Sequence, residues 1–320
     1  MKACVVQELS GPSGMSYMDV PDVTPGPESV LVDVRAAGVC FPDLLLSKGE
    51  YQLRLPPPFI PGMEVAGVVA AAPDGSGLAV GQRVCASVLG GYAEQVVAPV
   101  ANVKPSPAEL DDAEAVSLLV NYHTMYFAFE RRAALRPGET VLVLGAAGGI
   151  GAAAIQVARA MGARVIAVVH RSAATEFVAG LGPDAVIPLS DGWAQAVRDA
   201  TGGRGVDVVV DPIGGPAFDD AIRVLATDGR LLVIGFAAGA IPTVKVNRLL
   251  LRNVGVLGVG YGEYINRDPA AGVEFTEGLA RLVAAGLKPP PPVRFPLSDG
   301  SAALQLLDDG GVHGKLVLEP

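Results

Sequence analysis

The stretch Val141–Gly151, VLVLGAAGGIG, restricts this chain more than any other. Val141 to Leu144 are apolar and form a run of buried-strand length, and glycines follow at Gly145, Gly148, Gly149 and Gly151. Next comes AAAIQVARAMGA, in which Ile155, Ala158 and Met161 recur at helical spacing before Gly162 closes the run. Strand, glycine turn and helix is the geometry that brings backbone N–H groups and a helix N-terminus up to a pyrophosphate. The positive end of the helix dipole and the unpaired amides favour the anion, and glycine lets the backbone approach it with no Cβ in the way. Ala146, Gly148 and Gly151 fall at the three fixed positions of G-x-G-x-x-G, with alanine in the first. The spacing predicts a dinucleotide-binding turn lined by Ala146, Gly148, Gly149, Ile150 and Gly151.

The same region has a competing description. Val141 to Ala158 is an uncharged run of 18 residues with Gly145 and Gly149 at G-x-x-x-G spacing, the pattern of a membrane helix. Each glycine in a helix interior costs ~1 kcal/mol relative to alanine, and here they crowd the middle of the run. Alternating elements of soluble type also continue on both sides, so the turn is the preferred reading.

At 320 residues the chain has room for two domains, and its 40 glycines and 26 prolines make it turn-rich. The opening MKACVVQEL holds no apolar core of signal-peptide length, so no targeting segment is expected. Cys4, Cys40 and Cys85 are widely spaced with no C-x-x-C, which fits a reducing cytoplasm and excludes a disulfide framework. A net charge of −9 argues against nucleic acid and anionic membranes as partners.

Residues 1 to 120 read as short strands, among them LVDVR (31–35), VAGVVAAA (65–72) and GYAEQVVAP (91–99), separated by turns rich in proline and glycine. That pattern predicts a small barrel or sandwich. From Asn121 apolar strands alternate with helical stretches through VLVLG, RVIAVVH, AVIPL, WAQAVRDA, VDVVVD, PAFDDAIRVL, RLLVIGF and VGVLGVG. This rhythm predicts a doubly wound parallel sheet with ligands at the carboxyl ends of its strands. The tail, 261–320, holds one helix-like stretch (VEFTEGLARLVAAG), an extended connector at Pro289–Pro292 and a closing strand, KLVLE.

Several ordered motifs together resemble the medium-chain dehydrogenase/reductase superfamily. They are AAGVCFPDLLLSKGEY, PFIPGMEVAGVV, LAVGQRVCA and GGYAEQVV, then LRPGETVLVLGAAGGIGAAAIQVARAMGARVIAV and GVDVVVDPIGG, and finally HGKLVLEP. AAGGIG in particular is similar to the zinc-free quinone oxidoreductase branch, the zeta-crystallin-like proteins. The resemblance implies an α/β chain in two parts. A GroES-like β-barrel domain for substrate and catalysis spans 1–120 and is completed by 261–320. A Rossmann domain for the dinucleotide spans 121–260. The resemblance also implies a homodimer.

Zinc-dependent members of the superfamily carry a cysteine in a GxC stretch and a histidine in a GHE stretch. Here GVC supplies Cys40, but the second stretch reads Gly62-Met63-Glu64, and a thioether is a poor zinc ligand. The four-cysteine structural lobe is missing too, and His123, His170 and His313 form no pair at ligand spacing. No metal is expected, and Cys40 and Met63 are expected to line a substrate pocket. Without a Lewis acid, hydride transfer to a simple ketone is hard, whereas an electron-poor quinone or enone needs less help.

In NAD-specific folds an acidic residue about 20 positions beyond the glycines bonds the ribose 2′-OH. Here that strand ends in His170, Arg171 and Ser172 with no carboxylate. A guanidinium holds a 2′-phosphate by charge-assisted bidentate hydrogen bonds, so NADPH is the expected cofactor. Strand ends and the resemblance add Asp211, Gly235, Phe236, Asn121 and Thr124 to its binding residues, although Asp211 reads equally well as a turn-capping residue.

Reduction of a quinone or enone leaves an oxyanion or enolate that must be protonated. Tyr51, in SKGEYQ, is the best donor candidate, and an aromatic that only lines the pocket is the equal alternative. The expected activity is NADPH-dependent, zinc-independent quinone reduction. An enone or enoyl-thioester reductase on the same scaffold is the nearest rival, and a cofactor-binding crystallin-like protein is the non-enzyme alternative.

Overall fold

The computed structural model describes residues 1–320. The chain divides into two compact units, Met1–Val120 with Lys288–Pro320, and Asn121–Leu287. The first begins with an antiparallel pair, β1 (Lys2–Val6) and β2 (Met15–Asp19). Then follow β3 (Ser29–Val39), α1 (Phe41–Lys48), β4 (Glu64–Ala71), β5 (Arg83–Ser87), β6 (Gln95–Pro99), β7 (Val103–Pro105) and α2 (Asp112–Ser117). β3 organises this unit because its two halves serve different neighbours. Its first half alternates, with Val30, Val32 and Val34 in the core and Asp33 on the other face accepting a hydrogen bond from Gln95. Its second half, Ala36 to Val39, is buried throughout.

In the second unit α3 (His123–Phe127) precedes β8 (Thr140–Val143), α4 (Gly149–Ala160), β9 (Arg164–Val169), α5 (Thr175–Gly180), β10 (Ala185–Pro188) and α6 (Trp193–Ala200). β11 (Val206–Asp211), α7 (Phe218–Arg223), β12 (Leu225–Val233), α8 (Val246–Arg252), β13 (Gly255–Gly258), α9 (Tyr261–Arg267) and α10 (Pro269–Ala284) complete it. The strands form one parallel sheet in the order β10-β9-β8-β11-β12-β13. Its central strands, such as Val141–Val143 and Val208–Val210, are buried on both faces, which is why they read as unbroken apolar runs. The order reverses direction between β8 and β11, and a crevice opens at such a switch point outside the carboxyl ends of the strands.

The chain then returns to the first unit with β14 (Val293–Pro296), α11 (Gly300–Asp308) and β15 (Leu316–Glu319). β6 pairs with the first half of β3, β15 with the second half, and β4 runs along the opposite edge. The run Pro289–Pro292 is an irregular connector. The return falls at Lys288, not at 261 as the sequence suggested. Residues 261–287 stay with the second unit because their aromatics close over α3: the ring of Phe127 lies 4.9 Å from Tyr264 and 5.4 Å from Phe275. No helix is long and apolar enough to cross a membrane, and Val141–Ala158 divides into β8, the turn and α4.

Candidate functional site

The turn between β8 and α4 is shaped by what a side chain would strike. A Cβ on Gly151 would lie 2.3 Å from the carbonyl oxygen of Gly145 and 2.6 Å from Cα of Ala146, so only glycine lets the helix sit this close to the strand end. Gly148 is different. A Cβ there would meet no atom nearer than 3.6 Å, so packing within the protein does not demand glycine, and the space beside it stays open. Gly148 is also the N-cap of α4, where no side chain caps the helix and no acidic residue stands in the first turn. An uncapped helix N-terminus with an open glycine in front of it fits a pyrophosphate.

The neighbouring strand ends converge on this turn. The N–H of Ala146 donates to the carbonyl of Val168 in β9, and beyond Val169 His170, Arg171 and Ser172 are exposed. At the end of β11 the buried Asp211 accepts from the N–H groups of Ile213 at 2.9 Å and Gly214 at 2.8 Å. Its carboxylate therefore builds the turn after β11. Burial raises its pKa while those two hydrogen bonds pull it down. The loop after β12, with Gly235 and Phe236, is stitched to that turn: Ile234 N–H donates to Asp211 O and Ala237 N–H to Pro212 O. Asn121 is buried in a π-type helical turn (Leu118–Tyr122) ahead of α3, which carries Thr124. Tyr122, beside Asn121, hydrogen-bonds Gln156 of α4 through its hydroxyl.

In the first unit Cys40 is part of a larger buried network. Cys40 is the N-cap of α1, and its N–H donates to the carboxylate of Asp43 at 2.8 Å. Asp43 also accepts from Gly62 N–H at 3.2 Å and from the Tyr92 hydroxyl at 3.0 Å. Burial pushes Asp43 up to about 7 against the pull of these donors, and it raises the Tyr92 phenol well above its ordinary value. The Cys40 thiol donates to Glu64 at 3.1 Å, and the Lys315 ammonium donates to the Cys40 sulfur at 3.0 Å while pairing with the Glu64 carboxylate. The second Glu64 oxygen accepts from Val120 N–H at 2.6 Å. Asp43, Glu64 and Tyr92 have no exposed surface, and Lys315 retains only 5%. A Cβ on Gly38 would fall 2.1 Å from the Glu64 carboxylate, so a glycine in β3 makes room for it. Met63 and Tyr51 are half-buried, Met63 in the segment leading into β4 and Tyr51 just past the C-cap of α1.

Of this network the sequence points to Cys40 alone, and not to Lys315, Glu64, Asp43 or Tyr92. The one available signal was a lysine at the head of an apolar strand, in HGKLVLEP.

Structure and site together define a dinucleotide-binding α/β unit joined to a separate β unit with a buried charged centre. The family models that match are the alcohol dehydrogenase GroES-like domain over residues 26–108 and zinc-binding dehydrogenase over 149–277. The rat protein named quinone oxidoreductase-like protein 2 is 38% identical over 83% of this chain and 77% of its own length. Among solved structures, a probable oxidoreductase from Mycobacterium abscessus superposes with a TM-score of 0.94 at 60% identity, covering 100% of this chain and 99% of that one. The quinone oxidoreductase of Thermus thermophilus, solved also in complex with NADPH, gives 0.86 at 37% identity, with all of both chains covered. The CurK enoyl reductase gives 0.90 at 25%, covering 99% and 98%. The chain belongs to the medium-chain dehydrogenase/reductase superfamily, in its quinone oxidoreductase branch, and is an oxidoreductase of that family.

One of the matching models is named for zinc, and the residues here do not fit that metal. Zinc takes three or four nitrogen, sulfur or oxygen ligands. Cys40 and Glu64 offer two, Met63 stands where zinc-dependent members carry histidine, and the Lys315 ammonium contacts both donors. His123 is engaged elsewhere, with Thr276 at 3.2 Å.

Proposed function

We propose that this protein is an NADPH-dependent, zinc-independent quinone oxidoreductase. The observation that carries the reading is the open glycine turn at the switch point of the parallel sheet, with Arg171 at the end of the adjacent strand and no carboxylate there. In this reading Ala146 and Gly148–Gly151 hold the pyrophosphate through backbone N–H groups. His170, Arg171 and Ser172 receive the 2′-phosphate, and Arg171 provides the planar fork that an anion of this kind selects. Asp211 keeps the turn beside the crevice in shape, and Asn121, Thr124, Gly235 and Phe236 complete the binding residues. When bound, NADPH supplies the hydride. The chain positions the cofactor and, with Cys40, Tyr51 and Met63 as acceptor-pocket residues, the acceptor. A quinone spreads the incoming charge over a conjugated ring, so Tyr51 or water suffices to protonate it.

Two further parts belong to this proposal. The protein works as a homodimer, supported by the free outer edge of β13 and by Ile241, Val246, Leu250 and Leu251, each about three-quarters exposed. It works in the cytoplasm, supported by three free, buried thiols.

The test is a panel of benzoquinone, naphthoquinones, enals and crotonyl-CoA, each offered with NADPH and with NADH. Fast NADPH oxidation with quinones is expected. Turnover restricted to enals or the thioester would make the enone or enoyl reductase the better description, and no turnover with any acceptor would leave only cofactor binding.

A further inference from the structure

The centre of the first unit contains a cation that the chain carries itself. Lys315 reaches Cys40 and Glu64 from the residue before β15, while Cys40 comes from the β3–α1 junction and Glu64 from the start of β4. Three separated segments thus place a thiol, a carboxylate and an ammonium in contact, away from water. The group is electrically neutral only in certain combinations. An ammonium and a carboxylate cancel if the thiol keeps its proton, and the thiol is placed to donate to Glu64 at 3.1 Å. A neutral combination without the ammonium is a divalent metal with the carboxylate and a thiolate, since a bound metal deprotonates a coordinating thiol. The two states compete for one space.

We propose that Lys315 is a built-in cation that takes the place of a divalent metal between Cys40 and Glu64, and that its presence is what makes this chain refuse one. The inference rests on the zinc-independent part of the proposed function and deepens it. Two features then act together: Met63 withholds a third ligand, and the ammonium occupies the space and repels the metal.

The substitution that tests this is Lys315→His. An imidazole plus one metal–nitrogen bond of about 2 Å spans nearly the reach of the lysine side chain, so a metal held by it lies close to where the ammonium lay. Cys40, Glu64 and the imidazole then make three protein ligands, the number found in open zinc sites. Wild type, Lys315→His and Lys315→His/Cys40→Ser are each equilibrated with Zn²⁺ or Co²⁺ and freed of excess metal. The readouts are metal content, thiolate-to-cobalt charge-transfer absorbance and Tm.

Wild type is expected to keep no metal and an unchanged Tm. Lys315→His is expected to retain about one equivalent, to show the cobalt–thiolate band, and to gain about 5 °C in Tm with saturating zinc. The Cys40→Ser change should remove the band. A Lys315→His protein that folds and takes up no metal overturns the proposal. If that variant does not fold alone, it is refolded with zinc present: recovery only with zinc supports the proposal, and no recovery overturns it. None of these readouts uses turnover. Absence of any NADPH oxidation would therefore sink the oxidoreductase reading and leave this one standing. One tightly held zinc in wild type would sink zinc independence together with the role of Lys315.

Discussion

The two units treat polar groups in opposite ways. Around Lys315 in the first unit, each buried charge is answered by another group of the chain, and Glu64 and Asp43 commit both carboxylate oxygens to partners within it. At the β8–α4 turn in the second unit, no side chain caps the helix and the space beside Gly148 stays open. A closed network stabilises only the fold that makes it, whereas an uncapped helix end is completed by something from outside. Substitutions in the Lys315 network should therefore cost stability, and those at the open glycine of the turn should cost ligand affinity.

The sharpest break in that contrast comes from Glu64→Gln. It leaves the Lys315 ammonium buried without its carboxylate, and removing one partner of such a pair costs about 3–5 kcal/mol. The urea midpoint should fall accordingly, and restoring it with Lys315→Met on the same background would show that the cost is the unpaired charge. Next come the two glycines of the turn. Gly151→Ala forces a methyl into backbone atoms that cannot give way and should cost about 1–3 kcal/mol. Gly148→Ala should leave stability within about 0.5 kcal/mol while weakening NADPH at least about tenfold, as measured by fluorescence titration. Equal effects of the two on stability would mean that Gly148 is structural.

This pair of glycines also shows what could be read from the sequence. The spacing announces a dinucleotide turn because the chemistry is local: strand, glycines and helix all lie within residues 140–160. WAQAVRDA and VDVVVD match α6 and β11 residue for residue for the same reason. The membership of α9 and α10 was not legible, since an amphipathic helix declares an apolar face but not which neighbour covers it. That was decided by the contact of Phe275 and Tyr264 with Phe127. Lys315 was least legible of all. Its partner Cys40 lies 275 residues away, and a lysine opening a strand ordinarily reads as a solvated end.

On the ligand side, one charge-assisted hydrogen bond is worth ~1.5–3 kcal/mol. Arg171→Ala should therefore weaken NADPH by roughly ten- to a hundredfold and leave NADH nearly untouched. Equal losses for both would make it a structural loop residue. Asp43 brings pH into the stability side. Its pKa rises from 3.8 unfolded to about 7 folded, so the folded chain binds that proton more tightly. Stability should fall as pH rises between those values and level off above about 7. Urea midpoints at roughly pH 5, 6, 7 and 8 should show this slope in wild type and lose it in Asp43→Asn. The smallest effect is expected from Tyr51→Phe, which keeps the ring and removes the hydroxyl. With benzoquinone kcat should change by less than about tenfold, since a positioned donor contributes typically 10²–10⁴-fold only where one is needed. A larger drop confined to enones would favour the enone reductase.

The pairing of β15 with β3 has a consequence for the biosynthesis of this protein. The second half of β3 lies near the start of the chain, and the strand that covers it is made only after the whole second unit. Until then the nascent first unit carries an open strand edge and a Glu64 carboxylate with no counter-ion. Exposed edges and delayed long-range pairings are the features that slow folding and invite association between chains. The segment that supplies the internal cation is thus also the one that closes the sheet, and the first unit can be finished only once synthesis has passed the second.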